Sequence, residues 1–172
     1  MHKEPCLINY KNNVDNRGAF LSFFKEDSPL INKIWGRRNI KQINMSINKK
    51  KGTVRGMHYQ REPFQEAKIV NCVKGKIHDI LVDIREDSSN YLKAIEFVLS
   101  AEESSALFVP EGYAHGFQVL EEDTQLLYLH SGNWSASHDS GIRWSDPKLR
   151  IQWPLKVTEM SIRDQTHPLL SI

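Results

Sequence analysis

Short stretches in which apolar and polar residues alternate run through most of the chain, each soon closed by turn-forming residues. Alternation with a period of two turns one strand face inward and the other outward, so each stretch predicts a β-strand. Residues 40–47 (IKQINMSI) form one, and residues 69–73 form another that ends at Lys74-Gly75. Within residues 76–84, His78, Ile80, Val82 and Ile84 share a face opposite Ile77, Asp79, Leu81 and Asp83. The second face mixes aliphatic and acidic side chains, which predicts the lining of a polar cavity rather than a dry core. Residues 94–99, 106–109, 116–120 and 125–130 continue the series, with Ser88-Ser89-Asn90, Pro110-Glu111-Gly112 and Glu121-Glu122-Asp123 between them. A turn roughly every 8 to 12 residues is the rhythm of a sandwich or small barrel.

No window carries a sustained helical stripe, and only short helical turns are expected near residues 27–35 and 101–105. The tail from Asp146 onward is punctuated by Pro147, Pro154 and Pro168 and is expected to wrap the surface. The fold class is therefore all-β, and a double-sheet jelly roll with short flanking helices and a pocket between its sheets is expected. Its loose edge strands predict pairing with a second subunit.

Length and composition narrow this picture. At 172 residues the chain is expected to form a single domain, residues 1–172. A domain of that size hides roughly 70% of its unfolded surface and needs no covalent staples. Cys6 and Cys72 are too few for a disulfide framework, and Cys72 in IVNCV reads as a buried thiol. No apolar run approaches the roughly 18 to 20 residues that span a bilayer, and MHKEPCLINY has no apolar signal core. A reducing, cytoplasmic setting and no membrane partner are expected. The 23 Lys+Arg nearly balance the 21 Asp+Glu, which argues against a nucleic-acid partner. Only NKKKGTVR, residues 48–55, is locally basic. It reads as a solvated turn between strands or as a cationic rim for an anionic ligand such as a diphosphate.

Three clusters carry reactive side chains. The first is Arg55-Gly56-Met57-His58-Tyr59-Gln60, followed ten residues after His58 by Lys68. A histidine beside an arginine at a glycine turn can be structural. Lys68, however, opens the run KIVNCV, where alternation sends its side chain inward or to a rim, ready to stabilise an anion. The second cluster is Val109-Pro110-Glu111-Gly112-Tyr113-Ala114-His115-Gly116-Phe117. Its Pro-x-Gly-x-x-His form matches half of a cupin metal signature. The other half is missing around His58, so no metal site is expected. The third is Tyr128, which shares a strand face with Leu126 and His130 and reads as packing or as a general acid. Near the C-terminus, Asp164 in SIRD supplies a carboxylate that could orient a histidine.

In this order the clusters resemble the nucleotide-sugar epimerases typified by dTDP-4-dehydrorhamnose 3,5-epimerase. The matching stretches are DNRGAF at 15–20, VRGMHYQ at 54–60, EAKIVNCVKGKIHDILVDIREDS at 66–88, FVPEGYAHGF at 108–117, GIRWSDP at 141–147 and SIRD before Pro168. The resemblance implies a cupin-type double-sheet jelly roll, a cofactor-free and metal-free homodimer with a swapped N-terminal segment, acting on a nucleotide-diphosphate 4-keto-6-deoxy sugar. It casts His58 as the base beside the ketone, oriented by Asp164, with Lys68 steadying the enolate oxygen and Tyr128 delivering a proton from the opposite face. Arg55, His115, Gln42 and Asn44 match positions that hold diphosphate and sugar, and Asp79 joins the binding set. Arg17 and Phe20 match positions that reach the nucleotide from the neighbouring subunit.

The residue types suit the reaction. A proton on carbon beside a ketone is a weak acid, so a base needs help from a donor at the developing enolate oxygen. Histidine is available as a base at neutral pH, whereas tyrosine stays protonated and can donate. Two positions depart from the family pattern. Ser22 replaces a glutamate near the base, and Trp134 replaces a second tyrosine that flanks the sugar. A single-carbon epimerase on a CDP- or GDP-linked sugar, or another cupin enzyme such as a nucleotide-sugar ketoisomerase, is the alternative.

Overall fold

The structure, a computed structural model, describes residues 3–11 and 13–170. Its strands are β1 (Cys6–Asn9), β2 (Asn13–Asp15), β3 (Gly18–Phe20), β4 (Gln42–Asn48), β5 (Val54–Gln60), β6 (Lys68–Lys74), β7 (Lys76–Asp83), β8 (Ala94–Ser100), β9 (Ser105–Val109), β10 (Tyr113–Val119), β11 (Thr124–His130) and β12 (Asp139–Gly141). Helix α1 covers Pro29–Trp35, α2 covers Ile162–Thr166, and a 3-10 turn covers Ala101–Glu103. One five-stranded sheet runs β1-β9-β6-β11-β4 and the other runs β12-β5-β10-β7-β8. Every pairing is antiparallel. The hairpin β2-β3 stands apart from both sheets. The predicted jelly roll is thus present.

Alternation explains the layers. Val70, Leu107 and Leu126 of the first sheet meet Ile77, Leu81, Phe117 and Val119 of the second in the central core. The outer face of the first sheet is covered by α1, whose Ile31, Ile34 and Trp35 pack on Ile69, Phe108 and Leu129. This helix starts with proline in its first turn and stops at Gly36 (φ 64°), a conformation that glycine adopts without a Cβ clash. The outer face of the second sheet, Met57, Ile80, Val82 and Ala114, is sealed by Ile142, Leu149, Trp153 and Leu170 of the tail. The tail therefore wraps the domain as expected. Cys72 is buried, and burial pushes its thiol up to about 12.

Three expectations need correction. The face of β7 carrying Ile77, Asp79, Leu81 and Asp83 is mostly dry core, because Ile77 and Leu81 pack between the sheets. Asp83 is neutralised by Arg85 at 2.6 Å, and only Asp79 turns towards the polar end. Gly56 does not form a turn. It lies inside β5 with φ 128°, pressed against Gly116 of β10. The pairing of these strands shifts there, so that Phe117 opposes Arg55 while His115 opposes His58. Gly116 of β10 is thus matched by two residues of β5, Gly56 and Met57, which is a β-bulge. Finally, β1, β12 and the β2-β3 hairpin, too short to show alternation, were not anticipated, and neither was β5, whose period Gly56 breaks.

A methyl group at Gly56 would collide with the Gly116 α-carbon and would also force a side chain into a left-handed conformation. Gly56→Ala is accordingly expected to destabilise the fold by about 2 to 5 kcal/mol, from backbone strain plus overpacking. Urea denaturation followed by far-UV circular dichroism checks this, and a variant as stable as the parent would contradict the close crossing.

Candidate active site

At one end of the sandwich the sheets part around a cavity of about 240 Å3. From the first sheet it receives Asn44 and Ser46 of β4, Lys68 of β6, and Tyr128 and His130 of β11. The second sheet contributes Arg55 and His58 of β5, and His115 and Phe117 of β10. In a regular strand, residues 55 and 58 would point to opposite faces. The bulge at Gly56 resets the alternation, so both face the cavity while Met57 stays on the outer side. Two neighbouring hollows also reach His58. One is lined by Gln42, Glu66, Trp134 and Asp139, the other by Glu159, Ser161 and Asp164.

His58 Nε2 lies 2.9 Å from Asp164 Oδ1. Asp164 enters from α2, whose N-cap Ser161 accepts the Asp164 N–H at 3.1 Å, and its Oδ2 accepts the Gly56 N–H at 3.0 Å. Burial alone would raise the Asp164 carboxyl. Hydrogen bonds from His58 and the Gly56 backbone outweigh burial and bring it down to about 2. An ionised carboxylate can only accept, so His58 Nε2 donates to it, and the lone pair of the neutral ring is then on Nδ1. A second pair is His115 Nε2 and Asp79 Oδ1 at 2.8 Å, with His115 in the cavity wall and Asp79 fully buried behind it.

Tyr128 projects from the opposite sheet, with its ring 6.4 Å from His115 and stacked at 5.9 Å on His130. Burial and then the charge of Asp79 hold its hydroxyl well above the ordinary tyrosine value, with Arg55 pulling the other way. It is a protonated donor at neutral pH. Lys68 Nζ sits 3.4 Å from Glu66 Oε1 with little exposure, and Glu66 Oε2 also meets His130 Nδ1 at 3.0 Å. Burial would raise Glu66, but His130 and Lys68 bring it below its ordinary value. The cavity thus offers a lone pair on one wall, a hydroxyl proton on the other, and a lysine ammonium beside them. That is the equipment for moving a proton on and off carbon next to a polarised carbonyl.

Of the residues singled out from sequence, His58, Lys68, Tyr128, Arg55, His115 and Asn44 line the central cavity, and Gln42 and Trp134 line the adjoining hollow. Asp164 and Asp79 stand behind the two histidines. Arg17 and Phe20 do not join them. Both are on the exposed β2-β3 hairpin, where Arg17 pairs with Asp15. The lysines of NKKKGTVR line neither the cavity nor the hollows beside it. Lys50 pairs with Glu159, and the Gly52 N–H bonds to Val119, so the segment is a turn. His58 and His115, weighed as a metal pair, each hydrogen-bond a carboxylate of their own. Sequence reasoning missed Glu66 and His130, although His130 was seen to share a face with Tyr128. It also missed His167, buried with its ring 5.7 Å from His58 and its Nε2 lacking a hydrogen-bond partner. His58, Asp164 and His167 are the three side chains, among the described residues, whose ligand-type atoms gather within 4.8 Å.

The comparisons with known proteins converge. The family model for dTDP-4-dehydrorhamnose 3,5-epimerase matches residues 3–171. A relative of that description from Sinorhizobium fredii is 38% identical over 97% of this chain and 85% of its own. The crystal structure of a dTDP-4-dehydrorhamnose 3,5-epimerase from Bacillus anthracis, with TDP and PPi bound, superposes with a TM-score of 0.92 at 33% identity, covering 97% of this chain and 94% of that one. A 3'-monoepimerase from Streptomyces bikiniensis, in complex with dTDP-quinovose, gives 0.88 at 26% identity, covering 98% and 87%.

The Asp164 carboxylate also leaves a signature in stability. Its folded value lies below the unfolded one, so its contribution is present above about pH 4 and is lost as pH falls towards 2. A depression of this size corresponds to about 2 kcal/mol. Asp164→Asn should therefore be less stable than the parent at pH 7, with the gap closing between pH 4 and 2. Urea titrations across that range check the expectation, and a gap independent of pH would contradict it.

Proposed function

The chain belongs to the dTDP-4-dehydrorhamnose 3,5-epimerase family, and from that premise we propose how its cavity works. The substrate is a nucleotide-diphosphate 4-keto-6-deoxy sugar, linked to dTDP, and residues 1–172 act as one catalytic domain without a cofactor. His58 Nδ1 removes the proton from the carbon beside the C4 ketone. Asp164 keeps the resulting imidazolium oriented and charge-balanced. The Lys68 ammonium donates to the enolate oxygen as charge develops there. Tyr128 returns a proton from the other face, inverting the centre; His58 then gives its proton to solvent and Tyr128 regains one from it, and the same cycle at C5 and C3 completes a 3,5-epimerisation.

Arg55, Asn44, Gln42 and His115 bind the diphosphate and sugar, with Asp79 fixing the His115 ring, and Trp134 flanks the sugar at the rim. The observation that carries this reading is the placement of His58 and Tyr128 on opposite sheets of one cavity, with Asp164 hydrogen-bonded to the His58 ring and the Tyr128 hydroxyl held protonated. A single-carbon variant of the reaction has its own support in the likeness to a 3'-monoepimerase and in the Trp134 and Ser22 departures.

The active form in this reading is a homodimer in the cytoplasm, a setting that suits the two free cysteines. Strand β4 is a sheet edge, and on its outer face Ile43, Met45 and Ile47 are 61, 53 and 57% exposed. An unpaired edge with an apolar face invites a partner. A second copy seated there brings the β2-β3 hairpin, with Arg17 and Phe20, to the neighbour's nucleotide. Arg17 is 90% and Phe20 72% exposed in the isolated chain, as this role needs.

Two predictions follow from this chemistry. In deuterium oxide with a dTDP-linked 4-keto sugar, His58→Ala should lose solvent-deuterium incorporation by about 10^2- to 10^4-fold while still binding dTDP. Tyr128→Phe should exchange but not invert efficiently. NMR of the product locates the label, one labelled carbon indicating a single-carbon epimerase, and normal exchange by His58→Ala would remove the assigned base. For the assembly, an Ile43→Glu, Met45→Glu double variant should elute as a monomer in light-scattering chromatography and bind dTDP poorly. A dimer with parental activity would place the interface elsewhere.

A further inference from the structure

The reaction as drawn uses Lys68 but leaves Glu66 and His130 unexplained, although both line the hollow beside His58. Their contacts form an ordered chain. The Trp134 N–H donates to Gln42 Oε1 at 3.1 Å, and Gln42 Nε2 donates to Asn44 Oδ1 at 2.9 Å. Asn44 Nδ2 lies 3.3 Å from His130 Nε2, His130 Nδ1 lies 3.0 Å from Glu66 Oε2, and Lys68 Nζ lies 3.4 Å from Glu66 Oε1.

The polarity of every link can be read from its two ends. A backbone N–H can only donate, which makes the Gln42 oxygen an acceptor and leaves its nitrogen to donate. Asn44 must then present its oxygen to Gln42 and its nitrogen to His130. His130 Nε2 accepts, so its proton is on Nδ1 and points at Glu66. Glu66, an ionised carboxylate, accepts from His130 on one oxygen and from Lys68 on the other. No link has two donors or two acceptors facing each other.

We infer that Glu66 is a positioning residue for Lys68, locked by this chain from the Trp134 backbone through Gln42, Asn44 and His130. The inference rests on the proposed role of Lys68 at the enolate oxygen. An ammonium on a flexible four-carbon stem is a poorly aimed donor unless something fixes it. Glu66 fixes it and balances its charge, the two groups lying 3.4 Å apart with little exposure. The same chain couples the sugar-side residues Gln42 and Asn44 to the ammonium, so a sugar that displaces either one is felt at Lys68.

The chain also has a failure mode. Protonating His130 puts an N–H on Nε2 facing the Asn44 nitrogen. Turning the Asn44 amide over would set its nitrogen against that of Gln42. The chain therefore needs an acceptor at His130 Nε2. The charged and titratable groups around this ring are Glu66, Lys68 and Tyr128, with His58, Tyr59, Asp139 and Arg163 across the hollow and Arg55 and His115 across the central cavity.

The test compares full-length variants by pH–rate profile and by NMR of the reductively 13C-methylated lysines, with Lys68→Met used to assign the signal. Glu66→Gln should lower kcat about tenfold or more, as loss of a hydrogen bond to a charged group does, with KM within about twofold. The basic limb of kcat and the Lys68 titration should both move towards acid by about one pH unit. His130→Leu should behave like Glu66→Gln, whereas His130→Asn, whose amide nitrogen stands where Nδ1 stood, should recover most of the loss. If Glu66→Gln fails to fold, the two His130 variants carry the same comparison. A parental kcat, basic limb and Lys68 titration in Glu66→Gln or His130→Leu would overturn the inference. If Lys68→Met itself keeps parental activity, the enolate role of Lys68 falls, and the titration still reports whether Glu66 holds the ammonium.

Discussion

The site depends on a contact between two backbones. Gly56 and Gly116 approach so closely that neither position has room for a side chain, and the strands that carry them slip by one residue at that point. The slip does two things at once. It turns Arg55 and His58, which a regular strand would split between faces, into the same cavity. It also aligns His58 beside His115, so that two histidines from neighbouring strands stand on one wall. Without the bulge, the cation and the proposed base would be separated by the sheet itself. A strand spends a residue and some regularity there, which is where bulges recur in enclosed sheets.

From that wall outward, one arrangement repeats. His58 leans on Asp164, His115 on Asp79 and His130 on Glu66, each through a single hydrogen bond of 2.8 to 3.0 Å. Each carboxylate is buried or nearly so and comes from a different part of the chain: the tail, the middle of β7 and the loop before β6. A carboxylate in such a place fixes which ring nitrogen holds the proton, and hence which one faces the cavity. The dependence is sharpest for Asp164. The C-terminal segment seals the apolar outer face of the second sheet and then delivers α2 beneath His58. Packing of the tail and orientation of the proposed base are therefore one event.

Much of this was readable in the sequence, and the failures are informative. Strands with clean alternation were visible, as were the short helix ended by Gly36 and the proline-marked tail, because their local pattern and tertiary role agree. Strand β5 was not, since Gly56 breaks its period, and the meaning of that glycine lies in Gly116, sixty residues away. His58, Lys68, His115 and Tyr128 could be named because they sit in dense motifs. Asp164 could be offered as a partner because it stands in another. Glu66 and His130 had no spacing that linked them. Only the antiparallel pairing of β6 with β11, which sets Lys68 opposite His130, brings the carboxylate to the ring. Arg17 and Phe20 were legible as types but not as neighbours, since the isolated chain holds them away from its own cavity.

The two-sheet plan also suits the proposed chemistry better than a one-sided cleft would. Inverting a carbon beside a ketone passes through a flat enolate, and the proton that leaves one face must be replaced on the other. A sandwich supplies walls about 10 Å apart with side chains pointing inward from both, which leaves room for a sugar ring between a base and an acid. Here the lone pair comes from β5 and the hydroxyl from β11, strands of different sheets held in register by the common core. The near-neutral net charge fits as well. The cations that matter are each set by a local partner, Lys68 by Glu66 and Arg55 by the Asn48 side chain at 2.7 Å, so the anionic substrate meets placed charges rather than a basic surface.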